Sequence, residues 1–268
     1  MRHKILQSLL RRAPQGDARL YALCQQYVRN TDGDGNDNPA SNGEQWLVNA
    51  VLPSCRTVFD VGANHGDWTA SALAANPTVT VHCFEPSQAT FNELTARRFP
   101  PAVRCNRMGL SAESRTAALF VFDALPGLNS LYCRQGLEDG WGIAPPTRQE
   151  AVELIRLDEY CDTHQVTAID YLKLDVEGHE LDVLKGGQRL FADGRINYGQ
   201  FEYGGCNIDS RLLLRDLFGW FDAVGYGLFK LLPDRLRPVA RYDQRLENFQ
   251  YQNWFFARRD LPVPGGRS

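Results

Sequence analysis

Carboxylates and small residues occur together at two places near the start of the chain, in a pattern that suits ligand binding. The first place is the run TVFDVGANHGDW at 57–68, which carries Asp60, Gly62 and Gly66. The second is FEP at 84–86, where Glu85 lies 19 positions after Gly66. A buried strand followed by a glycine turn lets a ligand approach the backbone, and an acid about 20 residues further on can bind ribose hydroxyls. The two runs predict a cofactor that contains adenosine.

The residues of this turn favour S-adenosylmethionine over a dinucleotide. A nicotinamide-binding fingerprint requires G-x-G-x-x-G, but Asn64 and Asp67 stand where the second and third glycines would be. A phosphate-binding loop would need a lysine that the turn lacks. Asp60, at the mouth of the first strand, would repel a pyrophosphate and accept a hydrogen bond from an ammonium group. S-adenosylmethionine carries an ammonium and a sulfonium and has no phosphate.

A second acidic run, DVEGHE at 175–180, follows a buried strand and opens a predicted helix. Ligands of open parallel sheets bind at the carboxyl ends of the strands, so Asp175 is expected on the same rim as the glycine turn. A carboxylate there can take a proton from a hydroxyl, orient a substrate or bind a cation. Capping of the following helix is the alternative for Asp175 and Glu177. His179 is a second candidate base, with a surface histidine as its alternative.

Polar side chains elsewhere are candidates for binding an acceptor. Asn129 and Ser130 lie in an excursion at 123–150 that is rich in Gly and Pro and is expected to pass over the site. Neutral amide and hydroxyl groups suit a sugar, whereas an ordinary turn is the alternative. Glu202 ends a predicted strand on the same rim, where it either contacts the acceptor or is a buried, satisfied polar residue.

The elements that must position these residues alternate along the chain. Strands are predicted at 58–61, 79–84, 103–106, 168–175 and 197–203. Helices are predicted at 44–52, 67–75, 87–98, 178–190 and 210–221. A closing pair of strands is predicted at 227–232 and 248–257. Strands that alternate with helices imply right-handed crossovers and a mostly parallel sheet. The predicted fold class is therefore α/β.

Bulk properties limit the domain organisation and the function classes. A length of 268 residues favours one domain, predicted at 42–260, with a helical extension and linker at 1–41 and a disordered tail at 261–268. The net charge of −3 gives no support for nucleic-acid binding. The seven cysteines include no C-x-x-C pair, which indicates neither a zinc site nor a disulfide framework and fits a reducing cytosol. No metal site is expected, and no apolar run approaches the length of a membrane span.

Several motifs occur in a fixed order, namely FDVGANHG at 59–66, FEP at 84–86, NSL at 129–131 and LKLDVEGHE at 172–180, followed by VLKGG at 183–187. Together they resemble the FkbM family of S-adenosylmethionine-dependent methyltransferases. The motifs are specific in combination rather than singly. The resemblance implies a Rossmann-like class I methyltransferase fold: a seven-stranded, mostly parallel sheet with helices on both faces and an antiparallel last strand. It would make 42–260 a methyltransferase domain.

The resemblance also implies roles for individual residues. The residues expected to bind the cofactor are Asp60, Gly62, Asn64 and Gly66 at its methionine end, Glu85 at the ribose hydroxyls, Asn106 near the adenine and Asp175 beside the transferable methyl. Members of the family typically methylate hydroxyl groups of sugars or of polyketide-type natural products. An acceptor would lie against the residues named above for that purpose, which are Asn129, Ser130, Glu177 and Glu202.

The predicted function is that of an S-adenosyl-L-methionine-dependent O-methyltransferase acting on a hydroxyl of a sugar, glycan or related natural product. Asp175 is the first candidate base and His179 the second. An NAD-type oxidoreductase and a non-catalytic cofactor-fold assembly partner remain as alternatives. The expected location is the cytoplasm. The expected partner is a small-molecule or glycan acceptor and no nucleic acid, and a homodimer is compatible with the sequence.

Overall fold

The computed structural model of the protein describes residues 11, 16–123, 125–138, 142–146 and 148–264. Most of the first fifteen residues of the predicted extension and the last four of the predicted tail lie outside the described residues. Among the helices that are described, none combines the length and the apolar character needed to cross a bilayer.

The strands are β1 (Thr57–Val61), β2 (Thr80–Phe84), β3 (Val103–Asn106), β4 (Gly109–Leu110), β5 (Arg115–Val121), β6 (Arg148–Ile155), β7 (Ile169–Leu174), β8 (Ile196–Tyr203), β9 (Tyr226–Leu232), β10 (Arg235–Pro238) and β11 (Gln252–Arg258). Eight of them form the central sheet in the order β10-β9-β11-β8-β7-β1-β2-β3. Strands β3, β2, β1, β7 and β8 pair in parallel. The last strand, β11, is antiparallel to both β8 and β9. The expected count of seven strands is wrong, because the chain turns back after β9 and adds β10 at the edge.

Helices cover both faces of this sheet, as expected. They are α1 (Ala18–Asp32), α2 (Glu44–Val51), α3 (Asp67–Ala75), α4 (Gln88–Ala96), α5 (Leu157–Thr163), α6 (Glu180–Gly186), α7 (Gln188–Ala192), α8 (Cys206–Ser210) and α9 (Leu214–Ala223). Phe59 and Val61 of β1 belong to a core cluster with α5, α6, α7 and α9, whereas Val58 belongs to a cluster with α2, α3 and α4. Because successive residues of a strand point to opposite faces, both faces of β1 are buried.

A second, smaller sheet lies outside the central one. It has the order β4-β6-β5, and β5 and β6 pair antiparallel along their full lengths. Leu119 and Val121 of β5 pack with Val152 and Leu154 of β6 in a separate hydrophobic cluster. The excursion at 123–150, which was expected to pass over the site, therefore connects β5 to β6, two strands of this second sheet.

The helix predicted at 178–190 begins later and is broken. Gly178 has a φ of 99°, so it still belongs to the preceding turn, and α6 starts at Glu180. The break falls at Gly186 and Gly187, between α6 and α7. A Cβ at Gly186 would lie 2.0 Å from the carbonyl oxygen of Ser111, so close packing requires a glycine at this point. The break depends on a contact with a distant segment and has no local signal beyond the glycines.

The segment between α1 and α2, predicted to be a solvated linker, is packed against the sheet. Asp34 is 6% exposed and pairs with Lys230 of β9, which is 2% exposed. The side chain of Asn248 donates to the other carboxylate oxygen of Asp34 at 2.8 Å, and the backbone N–H of Gly35 donates to the carbonyl of Tyr251 at 2.8 Å. The chain is thus attached to the sheet before residue 42, where the domain was expected to begin.

A chain that begins at Asn42 is expected to be about 3–5 kcal/mol less stable than one that begins at Thr31, because Lys230 would stay buried without Asp34. Urea unfolding of the two chains measures the difference. Lys230→Met in the shorter chain is expected to recover part of the loss. Equal unfolding free energies for the two chains would show that the ion pair does not stabilise the fold.

Candidate active site

A buried lysine connects the two acidic motifs. Lys173 of β7 lies directly opposite Asp60 of β1 in the sheet. Its Nζ is 3.1 Å from Oδ1 of Asp60 and 3.3 Å from Oδ2 of Asp175, and it donates to the carbonyl of Gly62 at 3.0 Å. Burial alone would lower the pKa of Lys173, but the carboxylates of Asp60 and Asp175 outweigh it and raise the pKa. The ammonium group therefore stays charged although it is buried.

The glycine turn after β1 is held by Glu85, which follows β2. The backbone N–H of Asn64 donates to Oε2 of Glu85 at 3.1 Å, and that of Ser87 donates to Oε1 at 3.0 Å. Burial raises the pKa of Glu85 to about 7, against the lowering effect of these two bonds. Gly62 has a φ of 76°, and a Cβ there would lie 1.7 Å from the carbonyl oxygen of Asp175. Only glycine permits this approach between the turn and the second acidic run.

Gly66 and Asn106, also predicted to bind the cofactor, have clear structural partners. Gly66 precedes α3 with a φ of 83°, and a Cβ there would lie 2.6 Å from Cδ1 of Leu94. The side-chain nitrogen of Asn106 donates to the main-chain carbonyl of Cys83 at 2.9 Å. The main-chain carbonyl of Asn106 accepts from the backbone N–H of Glu85 at 3.1 Å. Asn106 therefore lies beside Glu85, with its amide nitrogen already bonded.

Three carboxylates converge near the carboxyl ends of β7 and β8. Oxygen atoms of Asp175, Glu177 and Glu202 all lie within 4.8 Å of one another. Burial, together with the neighbouring carboxylates, raises the pKa of Glu177 to about 8 and that of Glu202 well above its ordinary value. The side chain of Asp175 is more open, at 39% exposure. Such a group can accept hydrogen bonds from hydroxyls or hold a cation. The sequence predicts Asp175 and Glu202 on the same rim, and the structure adds that they and Glu177 lie within contact distance of one another.

Residues 130–134 form a strap across the turn that follows β7. The Ser130 hydroxyl donates to the carbonyl of Glu177 at 2.8 Å, and the Tyr132 hydroxyl bonds to Nδ1 of His179 at 3.0 Å. Arg134 pairs with the Glu177 carboxylate at 2.7 Å. All three side chains thus reach the same turn from one short segment.

Two of the predicted acceptor residues serve this strap. The side-chain oxygen of Asn129 accepts from the backbone N–H of Phe122 at 2.8 Å, and Ser130 is only 1% exposed. Both side chains are therefore engaged in internal hydrogen bonds that hold the strap in place. This arrangement favours a supporting role for them, while Glu177 and Glu202 lie at the acidic cluster itself.

His179, the second candidate base, is a buried link between two segments. It is 4% exposed, and its Nε2 bonds to the hydroxyl of Ser111 at 3.0 Å while Nδ1 bonds to Tyr132. Burial lowers its pKa to about 4, so the imidazole is neutral near neutral pH. Because both ring nitrogens already bond to neighbouring side chains, the geometry favours a role of His179 in holding the strap rather than in transferring a proton. Glu180 is fully buried and accepts the N–H of Gly178 at 3.1 Å, which caps the turn.

The structure brings most of the predicted residues together, with Asp60, Gly62 and Asp175 around Lys173 and Asn64 beside Glu85. Sequence reasoning missed Lys173 and Arg134. A lysine between two leucines of a buried strand is a signal that could have identified Lys173. Nothing in the local sequence distinguishes Arg134 from a surface arginine.

Comparison with known proteins identifies the family. Residues 60–226, more than half of the chain, match the family described as Methyltransferase FkbM domain. The chain belongs to the FkbM methyltransferase family. The match begins at Asp60 and includes the glycine turn, Glu85, the strap and the acidic cluster.

Individual relatives of this FkbM-family chain are distant, and each match covers only part of either protein. It is 31% identical over 151 residues to the 31-O-demethyl-FK506 methyltransferase FkbM of Streptomyces tacrolimicus, a match that covers 48% of this chain and 58% of the relative. It is 30% identical over 149 residues to the hexuronic acid methyltransferase AglP of Haloferax volcanii, covering 54% and 56%. The crystal structure of methyltransferase FkbM from Methylobacillus flagellatus KT gives a TM-score of 0.46 at 16% identity, over 75% of this chain and 43% of that one. The chain spans less than two thirds of the length of these two curated relatives.

Replacement of Lys173 by methionine is expected to destabilise the protein by about 3–5 kcal/mol, because Asp60 would remain as an unpaired buried charge. Urea unfolding measures the change. Lys185→Met is the matched control, since its half-exposed ammonium lies 3.6 Å from Asp182 and should contribute less than about 0.5 kcal/mol. Adding Asp60→Asn to Lys173→Met should recover stability, and a double variant no more stable than the single one would contradict the pairing.

Proposed function

We propose that this FkbM-family protein transfers the methyl group of S-adenosylmethionine to a hydroxyl oxygen of a sugar, glycan or related natural product. The observation that carries the proposal is the surplus of carboxylates near the carboxyl ends of β1, β2, β7 and β8. The acids are Asp60, Glu85, Asp175, Glu177 and Glu202, and the cations that pair with them are Lys173 and Arg134. This set offers many oxygen acceptors to a cofactor with ammonium and sulfonium groups and few cations to a pyrophosphate.

The glycine turn supports the same cofactor. Oδ1 of Asn64 is buried and has no hydrogen-bond partner among the described residues. Each oxygen of Glu85 accepts one backbone N–H, which leaves a lone pair on each for ribose hydroxyls. Asp60, Gly62, Asn64 and Glu85 would hold the cofactor, with Gly66 shaping the turn. When bound, S-adenosylmethionine supplies an electrophilic methyl group on its sulfonium.

The acceptor would lie against the acidic cluster. Burial and the neighbouring carboxylates raise the pKa values of Glu177 and Glu202, so these two side chains bind a proton more readily than ordinary carboxylates do. A protonated carboxyl group can both donate to and accept from hydroxyl groups. Asp175 is the more open carboxylate and is proposed to take the proton of the reacting hydroxyl. The strap at 130–134 orients the acceptor and excludes water, and such positioning supplies a large part of the rate of a methyl transfer.

The relatives give this acceptor class some further support. One is named for 31-O-demethyl-FK506 and the other for a hexuronic acid. Both names describe molecules that carry oxygen functions open to methylation. The NAD-type alternative has the carboxylate surplus against it, and no feature of the described residues favours the assembly-partner alternative over catalysis.

Asp175→Asn keeps the size of the side chain but removes its charge. We expect turnover to fall roughly 10²–10⁴-fold, with affinity for S-adenosylhomocysteine and the melting temperature little changed. Transfer of a labelled methyl from S-adenosylmethionine to a panel of methyl glycosides, read by mass spectrometry, measures the effect. Asp193→Asn, an exposed aspartate after α7, is the control. Undiminished transfer by Asp175→Asn would exclude Asp175 as the base, and cofactor binding without transfer to any acceptor would favour the assembly-partner alternative.

Affinity for S-adenosylhomocysteine is expected to rise as the pH rises through about 7, because Glu85 ionises there and a carboxylate accepts hydroxyl hydrogen bonds more strongly than a carboxylic acid does. Calorimetry below and above this pH measures the change. Glu85→Gln should remove the pH dependence and weaken binding by about 1.5–3 kcal/mol. S-adenosylhomocysteine and not NAD should raise the melting temperature. A pH-independent affinity in the unsubstituted protein would remove Glu85 from the cofactor site.

A further inference from the structure

Two cysteines that are distant in sequence lie side by side in the central sheet. Cys83 of β2 is paired directly with Cys105 of β3. Both belong to the same hydrophobic cluster, so their side chains lie on one face of the sheet. Neighbouring strands are about 4.8 Å apart, which is within the Cα separation of about 4.4–6.8 Å that a disulfide spans. Both thiols are free in the structure.

The two thiols differ in access and in acidity. Cys83 is fully buried, whereas Cys105 is half-buried on β3, the edge strand of the sheet. A hydrogen bond with the thiol of Cys83 lowers the pKa of Cys105, while the same bond and burial raise the pKa of Cys83. An accessible thiol with thiolate character beside a shielded one is the arrangement of a reacting and a resolving cysteine.

We propose that Cys105 and Cys83 form an oxidation site in which a peroxide converts the two thiols into a disulfide. In the first step the sulfur of Cys105 attacks the peroxide, the O–O bond breaks, and sulfenic acid and an alcohol or water are formed. The peroxide accepts the two electrons that the sulfur loses. In the second step the thiol of Cys83 attacks the sulfenic acid, the S–S bond forms, the S–O bond breaks, and water leaves with the thiol proton.

The disulfide requires movement of β3. The Cβ atoms of a disulfide lie about 3.5–4.5 Å apart, which is closer than directly paired residues of neighbouring strands. Strand β3 pairs only with β2 and can shift towards it, unlike an internal strand. A disulfide formed in this way is strained, and strained disulfides are more easily reduced. The oxidation is therefore reversible by ordinary thiols.

Hydrogen bonds connect this cysteine pair to residues that are proposed to bind the cofactor. The hydroxyl of Thr69 contacts Sγ of Cys83 at 3.1 Å and donates to Asp60 at 2.7 Å. Asn106, next to Cys105, bonds to the carbonyl of Cys83 and accepts from the N–H of Glu85. Oxidation displaces these bonds and weakens cofactor binding. This last step rests on the proposed function, whereas the oxidation itself does not.

The test uses the full chain with Cys24→Ser and Cys133→Ser, which removes its exposed thiols. After treatment with hydrogen peroxide, we expect the intact mass to fall by two hydrogens and the peptides that carry Cys83 and Cys105 to be cross-linked. Dithiothreitol should reverse both changes. Cys83→Ala should stop at a sulfenic acid on Cys105 that dimedone traps, and Cys105→Ala should form neither product. Cys161→Ala, which removes a buried thiol elsewhere, is the control and should oxidise normally.

Affinity for S-adenosylhomocysteine, measured by calorimetry before and after oxidation, is expected to fall about tenfold, a typical coupling between sites. Separate alkylation of both thiols after peroxide treatment, without any cross-link, would overturn the oxidation site. A cross-link with unchanged affinity would overturn its control of cofactor binding. If the reduced protein does not bind S-adenosylhomocysteine while the cross-link still forms, the proposed function fails and the oxidation site stands.

Discussion

The ion pairs of Lys173 are the interaction on which the site depends. Asp60 is fully buried, and a buried carboxylate is tolerated only with a charged or hydrogen-bonding partner. The same ammonium binds the carbonyl of Gly62 and the carboxylate of Asp175. One side chain thereby fixes the glycine turn, the end of β1 and the end of β7 relative to one another. The glycine turn, proposed to hold the cofactor, and Asp175, proposed to act on the acceptor, are consequently joined in one connected unit.

Two residues of this region have unfavourable backbone dihedral angles at places where ligands are proposed to bind. Asn64 and Glu177 have φ values of 48° and 51°, which residues with a side chain adopt at some energetic cost. Each is held by specific bonds: the N–H of Asn64 donates to Glu85, and Glu177 is bound by Ser130 and Arg134. The strap thus holds the turn at Glu177 in the way that Glu85 holds the glycine turn.

Local patterns in the sequence were sufficient to predict the elements that make the site, but not the contacts that join them. The strand at 103–106 and the helix at 67–75 have the predicted bounds, because turn-forming glycine, proline or asparagine residues flank each of them in the sequence. The ion pair of Asp34 with Lys230, the approach of Arg134 to Glu177 and the pairing of Cys83 with Cys105 were not predictable. Each joins segments whose separation in sequence carries no information about distance in the fold. The additional strand β10 was missed for a related reason, since a short edge strand has little hydrophobic pattern of its own.

Because the strap originates in the smaller sheet, changes in the excursion that carries it can occur independently of changes in the central sheet. Strands β5 and β6 pair over their full lengths, and Phe120 bridges back to Ser130, so the excursion is closed at its base before it reaches the rim. Its tip can therefore gain, lose or exchange residues without disturbing the register of β1, β2 and β7. On the proposed function, changes confined to this insertion would give a lineage new acceptors, while the central sheet and the site for the methyl donor are inherited unchanged.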